Sequence, residues 1–174
     1  MALTHWMNAM EWLAAAARDP RACKNDWQHG STGVHLLAAG RLWDVLVVPA
    51  CLGLRTADIL DGLPLLEPGP ALLDSRRRQV GFFLPPDPAS IWSGPDVRYV
   101  TQGGWIATPA PHCRWGDLRW LCPPDGTGTL NTPEVMELAL ARAVGELARA
   151  HGAAHCHTPH RRRSLPSPSA APPA

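Results

Sequence analysis

The densest group of residues able to hold a metal ion lies near the C-terminus. It consists of His151, His155, Cys156, His157 and His160. Structural zinc sites need such ligands at fixed spacing on ordered backbone, commonly with a C-x-x-C pair. This stretch has no such pair and continues into a Pro- and Ser-rich segment. We therefore expect adventitious metal binding at most, with no resident metal and no cofactor.

Two glycine-rich turns could hold a phosphate group. Gly126-Thr127-Gly128 precedes a predicted helix, whose first N–H groups favour anions. Gly103-Gly104 separates two predicted strands. Neither turn has a P-loop lysine or G-x-G-x-x-G spacing, so both also fit a tight turn or a close backbone approach. The chain has no G-x-S-x-G elbow either, which argues against a serine hydrolase.

Two arginine triplets are the candidate contacts for nucleic acid. Guanidinium groups bind phosphate oxygens in a bidentate manner. One triplet, just before a predicted strand, is Arg76, Arg77 and Arg78; the other, in the C-terminal segment, is Arg161, Arg162 and Arg163. We expect the internal triplet to be the better placed one, because a terminal triplet is more typical of a solvated basic arm.

The composition describes one globular domain without a strong overall charge. The 174 residues carry 16 Lys+Arg and 15 Asp+Glu, a net charge of +1, so nucleic-acid binding needs a local patch. The hydrophobic content of 45% is enough to form a core. The five cysteines form no C-x-x-C, and no signal peptide or membrane-spanning run is recognisable. We expect free thiols, a cytoplasmic location and no membrane partner.

Hydrophobic periodicity and turn residues predict a single α+β domain over residues 1–150. We expect a mixed or antiparallel central sheet with flanking helices and a long C-terminal helix. The predicted helices are 4–18, one that begins at Pro20 after Asp19 as N-cap, 56–63, a short one from 87 to 92, and 133–150. The predicted strands are 33–38, 43–48, 79–84, 98–101, 105–108 and 118–122.

Some finer features are also predicted. The strands 33–38 and 43–48 flank Ala39-Gly40-Arg41, which favours a hairpin. Asn131 or Thr132 is the expected cap of the last helix. The expected buried face of that helix consists of Val135, Leu138, Ala139, Ala143 and Leu147. Residues 151–174 lack periodicity and are rich in Pro, Ser, Arg and His, which predicts a disordered tail.

Several segments, taken in order, resemble a known family. They are Gly33-Val34, WDVLVV from Trp43, VGFFLPP from Val80, TQGGWIATP from Thr101 and RWLCPPDGTGTL from Arg119. Over about residues 10–150 the chain resembles the bifunctional DNA primase/polymerase N-terminal (prim-pol) domain. It is most similar to the short actinobacterial proteins described under that name.

The resemblance implies nucleotidyl transfer with two Mg²⁺ or Mn²⁺ ions, held by carboxylates at i and i+2 of one strand. It also implies a histidine directly after the paired glycines. In this chain Asp44 has Leu46 on its face of the strand, and Trp105 follows Gly103-Gly104. No D-x-D or D-x-E occurs, so Asp44 is the single candidate catalytic acid on that strand. The pattern indicates a prim-pol-like scaffold that has lost its metals.

The expected function is a non-catalytic module that binds nucleic acid or a nucleotide through the internal arginines and the two glycine turns. One alternative is a regulatory or protein-interaction module, because the charge is near zero and the chain has 8 tryptophans. The other is an active DNA primase/polymerase, which would rebuild its site from scattered acids such as Asp44, Asp74 and Asp125.

Overall fold

Helices pack on both faces of an antiparallel sheet, so the predicted α+β class is confirmed. The computed structural model describes residues 2–30, 33–64, 67–87, 92–94 and 96–156. In these ranges the helices are α1 (Ala2–Ala14), α2 (Pro20–Gln28), α3 (Ala50–Asp61) and α4 (Pro133–Cys156). The strands are β1 (His35–Ala38), β2 (Asp44–Pro49), β3 (Ala71–Asp74), β4 (Gln79–Leu84), β5 (Arg98–Val100), β6 (Trp105–Thr108) and β7 (Leu118–Cys122).

The central sheet has the strand order β5-β2-β4-β3-β7, and all its neighbours are antiparallel. Strand β2 pairs along its whole length with β4 and on its other edge with β5. Its residues from Asp44 to Val48 are all buried. A nearly continuous apolar run such as Val45-Leu46-Val47-Val48 is therefore the sequence of a strand covered on both faces.

The two faces of the central sheet carry separate cores. On the face that we call the α1 face, Val45, Phe83 and Trp120 pack with α1, α2 and the small β1–β6 sheet. On the opposite face, the α3 face, Leu46 and Phe82 pack with α3 and α4. Successive strand residues point to opposite faces, so each strand supplies both cores in alternation.

The predicted hairpin between residues 33–38 and 43–48 is wrong. Strand β1 pairs with β6, from His35 opposite Thr108 to Ala38 opposite Trp105, and β2 pairs with β4 and β5 instead. The connecting turn at Gly40 has φ +94, and its backbone touches Gln102, where a Cβ would lie 2.3 Å from the Gln102 Cα. The chain therefore changes sheets at this turn, because both edges of β2 are taken by more distant strands.

The element boundaries differ from the prediction in a few places. Helix α2 starts as predicted, with the Asp19 side chain accepting from the N–H groups of Arg21 and Ala22. Strand β3 was not predicted, and α3 begins at Ala50 rather than residue 56. Helix α1 spans Ala2–Ala14, and α4 continues to Cys156, into the segment predicted as tail. The predicted helix 87–92 and residues 157–174 fall largely or wholly outside the described residues.

Helix α4 buries a face slightly rotated from the predicted one. Ala139 and Ala143 are buried as predicted, but Met136 is also buried and Leu138 is 73% exposed. The face is set by the packing of α4 on α3, which Arg55 reinforces by binding Glu146. The guanidinium groups of Arg142 and Arg55 hold the pKa of the Glu146 carboxyl below its usual range.

Asn131 joins the central sheet to the start of α4. Its side chain is buried and accepts from the Gly69 N–H at 3.1 Å, while its amide donates to the Pro70 and Phe83 carbonyls at 3.0 Å. The expectation that Asn131 or Thr132 caps α4 resolves in favour of Thr132, whose carbonyl accepts from the Met136 N–H. The Asn131 side chain thus pairs the buried Gly69 N–H and adds a second hydrogen bond to two carbonyls that already accept backbone N–H groups.

We expect Asn131→Ala to lower the free energy of unfolding by about 1–3 kcal/mol, the cost of one buried group left unpaired, because the Gly69 N–H loses its acceptor. Denaturant unfolding followed by tryptophan fluorescence measures the loss. Asn25→Ala, on the exposed side of α2, is the matched control and should stay near wild type. Equal stability of the two variants would contradict this role for Asn131.

Candidate nucleic-acid interface

The internal arginine triplet forms the turn of the β3–β4 hairpin. Asp74 pairs with Gln79, so Ser75 and the three arginines span the turn. The Arg77 N–H donates to the Asp74 carboxylate at 3.0 Å. The Arg78 backbone has φ 56, and its carbonyl accepts from the first N–H of α3, that of Ala50, at 2.7 Å.

The three arginines do not point to the same place. The Arg76 side chain points away from the other two, and its Nε lies 2.6 Å from the Asp117 Oδ2. Arg77 and Arg78 line a cavity of about 330 Å³ beside the start of α3, together with Gln79 and Cys51. Arg77 and Gln79 also line a smaller adjoining cavity of about 80 Å³ on the α1 face of the sheet.

The smaller cavity brings in residues distant in the sequence. Arg98 on β5 and Trp105 on β6 line it with Arg77 and Gln79. We call the surface formed by Arg77, Arg78, Gln79, Arg98 and Trp105 the arginine groove. Sequence reasoning did not select Gln79 or Arg98 and named Trp105 only as a departure from the family pattern, because their meeting depends on strand register.

The register of the central sheet explains why these side chains meet. Arg98 and Gly81 both lie opposite Val47, and directly paired residues share one face of a sheet. Gln79 lies two residues before Gly81, so it points to the same α1 face. Helices α1 and α2 cover the core of this face, and the arginine groove lies at its margin, where β6 forms the wall.

The groove carries more positive than negative charge. Among the described residues, Arg78 and Arg98 have no carboxylate within 4.0 Å, and Arg77 has only a 3.8 Å approach to Asp74. Asp74 and Asp96 are the acids that line the two cavities. Three guanidinium groups against two carboxylates leave a local excess of one positive charge, with two arginines not engaged in ion pairs.

Trp105 supplies an aromatic surface beside these charges. Its side chain is 49% exposed, although most tryptophans of the chain are buried or half-buried. Gly104, just before it, contacts Val100, where a Cβ would lie 2.4 Å from the Val100 Cγ1. Gly103 adopts φ +88 with open space around it. The paired glycines therefore allow the tight turn that places Trp105 at the groove.

The Gly126–Gly128 turn lies outside the arginine groove, and side chains of the turn itself fill its interior. Gly126 touches α1, where a Cβ would lie 2.5 Å from the Ala9 N. Inside the turn the Asp125 carboxylate accepts from the Thr127 and Thr129 hydroxyls at 2.6 Å. Burial raises the pKa of Asp125, but these hydrogen bonds outweigh it and hold the pKa below its usual value. An ionised carboxylate here disfavours a phosphate, so we leave this turn out of the proposed interface.

Asp44 is buried in the α3 face and surrounded by apolar residues. Its side chain is 1% exposed, and it lies opposite Leu84 with Leu46 next on its face. One carboxylate oxygen accepts from the Tyr99 hydroxyl at 2.9 Å and from the Asp87 N–H at 3.1 Å. The other oxygen has no hydrogen-bond partner among the described residues.

This environment fits a structural carboxylate better than a metal ligand. Within the described ranges, no group of three or more His, Cys, Asp or Glu side chains is arranged to hold a metal ion. Asp74 and Asp125, the other acids considered for a rebuilt site, belong to two separate turns. Asp44 instead ties β2 to β5 and to the segment after β4.

Comparisons with known proteins do not place this chain in a family. Neither protein-family models, nor curated proteins, nor solved structures match the chain. In the described part of the chain no helix is both long enough and apolar enough to cross a membrane.

We expect Asp44→Ala to destabilise the fold by about 2–4 kcal/mol, because it removes the two hydrogen bonds that the buried carboxylate accepts from Tyr99 and Asp87. Asp44→Asn keeps an acceptor oxygen in place and should cost clearly less. Denaturant unfolding of the two variants gives the comparison. If Asp44→Ala is as stable as wild type, the carboxylate is not a structural tie.

Proposed function

We propose that this protein binds single-stranded nucleic acid in the arginine groove and carries out no nucleotidyl transfer. The observation that supports the proposal is the meeting of Arg77 and Arg98 with a half-exposed tryptophan in one cavity, while Arg78 lines the adjoining one. Proteins that bind single strands combine such positive charge with aromatic side chains on which bases stack.

In this proposal each residue of the groove has a separate role. The guanidinium groups of Arg98 and Arg77 contact successive phosphates, and Arg78 extends this track towards α3. The Trp105 indole stacks on a base, which is possible for any base because every base has a π-face. The Gln79 amide can hydrogen-bond to a base edge or a sugar. This arrangement predicts binding with little sequence preference.

A single-stranded ligand fits better than a duplex. The groove consists of two adjoining cavities of about 80 and 330 Å³, whereas reading a duplex requires an element that enters the major or minor groove. The resemblance to the prim-pol domain is compatible with this proposal as a scaffold without metal ligands. The unpaired thiols of Cys23, Cys51, Cys113 and Cys122 suit the cytoplasmic location that we propose with it.

Arg98→Gln and Arg77→Gln should each weaken binding of a fluorescein-labelled oligo-dT by about threefold or more at low salt and reduce the salt slope by about 0.7, the value for one lost phosphate contact. Fluorescence anisotropy against the full-length chain at several salt concentrations measures both. Every variant retains Arg161, Arg162 and Arg163, so any contribution of these residues is common to all of them.

Arg149→Gln is the matched control, because it removes the same charge from the exposed side of α4, outside the groove. It should leave the affinity and the salt slope near wild type. Equal losses in all three variants would mean that binding is a general charge effect. Absence of binding by the wild-type chain at low salt would overturn the proposed function.

Trp105→Ala should weaken oligo-dT binding by about 1–3 kcal/mol, the range for one base stacked on an aromatic side chain, with the salt slope unchanged. Trp115→Ala is the control, since Trp115 is 79% exposed and lies outside the groove. Anisotropy titrations of oligo-dT with the two variants show which tryptophan stacks on a base. A loss with Trp115→Ala but not with Trp105→Ala would move the stacking site away from the groove.

A second candidate function, protein interaction, has one observation in its favour. Leu36, on the outward face of the β1–β6 sheet, is 62% exposed, and Val34, just before β1, is 51% exposed. Exposed apolar surface of this kind is typical of partner surfaces. Light scattering over a range of concentrations tests it: self-association that Leu36→Asp abolishes, without any oligo-dT binding, would favour this candidate.

A further inference from the structure

We propose that a cavity between α3 and the β3–β7 edge of the sheet binds a free α-amino acid with an apolar side chain. The cavity has a volume of about 370 Å³ and lies on the α3 face, apart from the arginine groove. This volume is near the lower end of the range of about 300–1,000 Å³ for small-molecule sites. The proposal does not depend on nucleic-acid binding.

The floor of the cavity is apolar. Leu60, Ala71 and Phe82 line it, and all three belong to the core on the α3 face. Leu54 and Ala57 form the wall on α3, one helical turn apart. Pockets that bind small molecules combine such apolar lining with a few polar groups that fix orientation. An aliphatic or aromatic side chain of a ligand would occupy this floor.

Charges of opposite sign face the cavity from different elements. Asp58 and Asp61 lie on α3, on the same side of the helix as Leu54 and Ala57. Arg114 comes from the segment that precedes β7. Asp61 and Arg114 have no ion pair within 4.0 Å among the described residues, whereas Asp58 has a 3.7 Å approach from Arg55. An anionic wall on α3 and a cationic wall before β7 therefore line the same cavity, and no ion pair joins Asp61 to Arg114.

A zwitterion satisfies both walls at once. The α-ammonium group would bind the Asp61 carboxylate, with Asp58 adding to the negative field, and the α-carboxylate would bind the Arg114 guanidinium in a bidentate manner. A ligand with a single charge would leave one wall without a partner. Charge complementarity of this kind selects the class of ligand more than it sets the affinity.

The remaining polar groups at the cavity are neutral or already satisfied. Asn131 lines it but uses its amide to bind Gly69, Pro70 and Phe83. Burial raises the pKa of the Cys122 thiol, an effect that the charge of Arg114 opposes in part, so the thiol stays neutral at physiological pH. Its sulfur contacts the Pro68 carbonyl at 3.3 Å. These groups add no competing charge.

Isothermal titration calorimetry and thermal-shift measurements of the full-length chain test the proposal with L-phenylalanine and L-leucine as probes. Saturable binding is expected for at least one of them. Phenethylamine lacks the carboxylate and 3-phenylpropionate lacks the ammonium group. Each should bind about tenfold more weakly than L-phenylalanine, the loss expected when one charge-assisted hydrogen-bond set is removed.

Two variants test separately the contact of each wall with its charged ligand group. Asp61→Asn should weaken binding of L-phenylalanine about tenfold and leave binding of 3-phenylpropionate unchanged, because that probe has no ammonium group. Arg114→Gln should weaken L-phenylalanine and leave phenethylamine unchanged. Both side chains are exposed, so the fold should tolerate both changes. Ala57→Trp, which narrows the cavity, should remove binding of all probes.

Lack of binding by both amino acids at millimolar concentration would overturn the proposal. So would equal binding of L-phenylalanine and phenethylamine, because Arg114 would then have no role. Neither result bears on oligo-dT binding, which is measured independently in the arginine groove.

Discussion

The burial of β2 on both faces is the constraint on which the rest of this fold depends. Its residues from Asp44 to Val48 are fully enclosed, so a layer must cover each side and a strand must pair with each edge. The strands β4 and β5 form hydrogen bonds with its backbone groups, and the helices cover its two apolar faces. A single apolar run thereby dictates a layered domain, because unpaired backbone and exposed apolar surface are both costly.

The same arrangement produces the arginine groove. A side chain points to alternate faces along a strand, so strands that flank β2 bring polar residues to the margin of the α1 face wherever the covering layer ends. Arg98 from β5 and Gln79 from β4 meet there, although the chain between them includes a segment outside the described residues. The hairpin turn adds Arg77, and the small sheet adds Trp105. A chain with a net charge of +1 can in this way carry a local positive surface.

Buried polar groups mark where the layers are joined. Asn131 connects the loop before β3, the end of β4 and the start of α4, and Asp44 connects β2 to Tyr99 and Asp87. Both make hydrogen bonds to parts of the chain far apart in sequence, which helps to select one packing over others. Asp44, which a prim-pol-like site would use as a metal ligand, is in this chain one of these structural connections. The same chemical group can serve either purpose, and its neighbours decide which.

The sequence by itself determined the features that depend on local interactions. The Asp19 cap, the start of α4 after Thr132, the strand at 79–84 and the α+β class all follow from periodicity and turn residues, whose physical basis lies within a few residues. The charge triplet at Arg76–Arg78 was also visible from the sequence.

Strand pairing could not be predicted from the sequence. Strand β1 joins β6 because the edges of β2 are already occupied, and β3 was too short and too close to a loop for its pattern to be recognised. Only the tertiary structure decided that Arg76 turns away to Asp117, that Arg98 and Trp105 join Arg77, and that Leu138 faces outward. These outcomes depend on strand register and helix packing between distant segments, and that information is distributed over the whole chain rather than held in any one stretch of it.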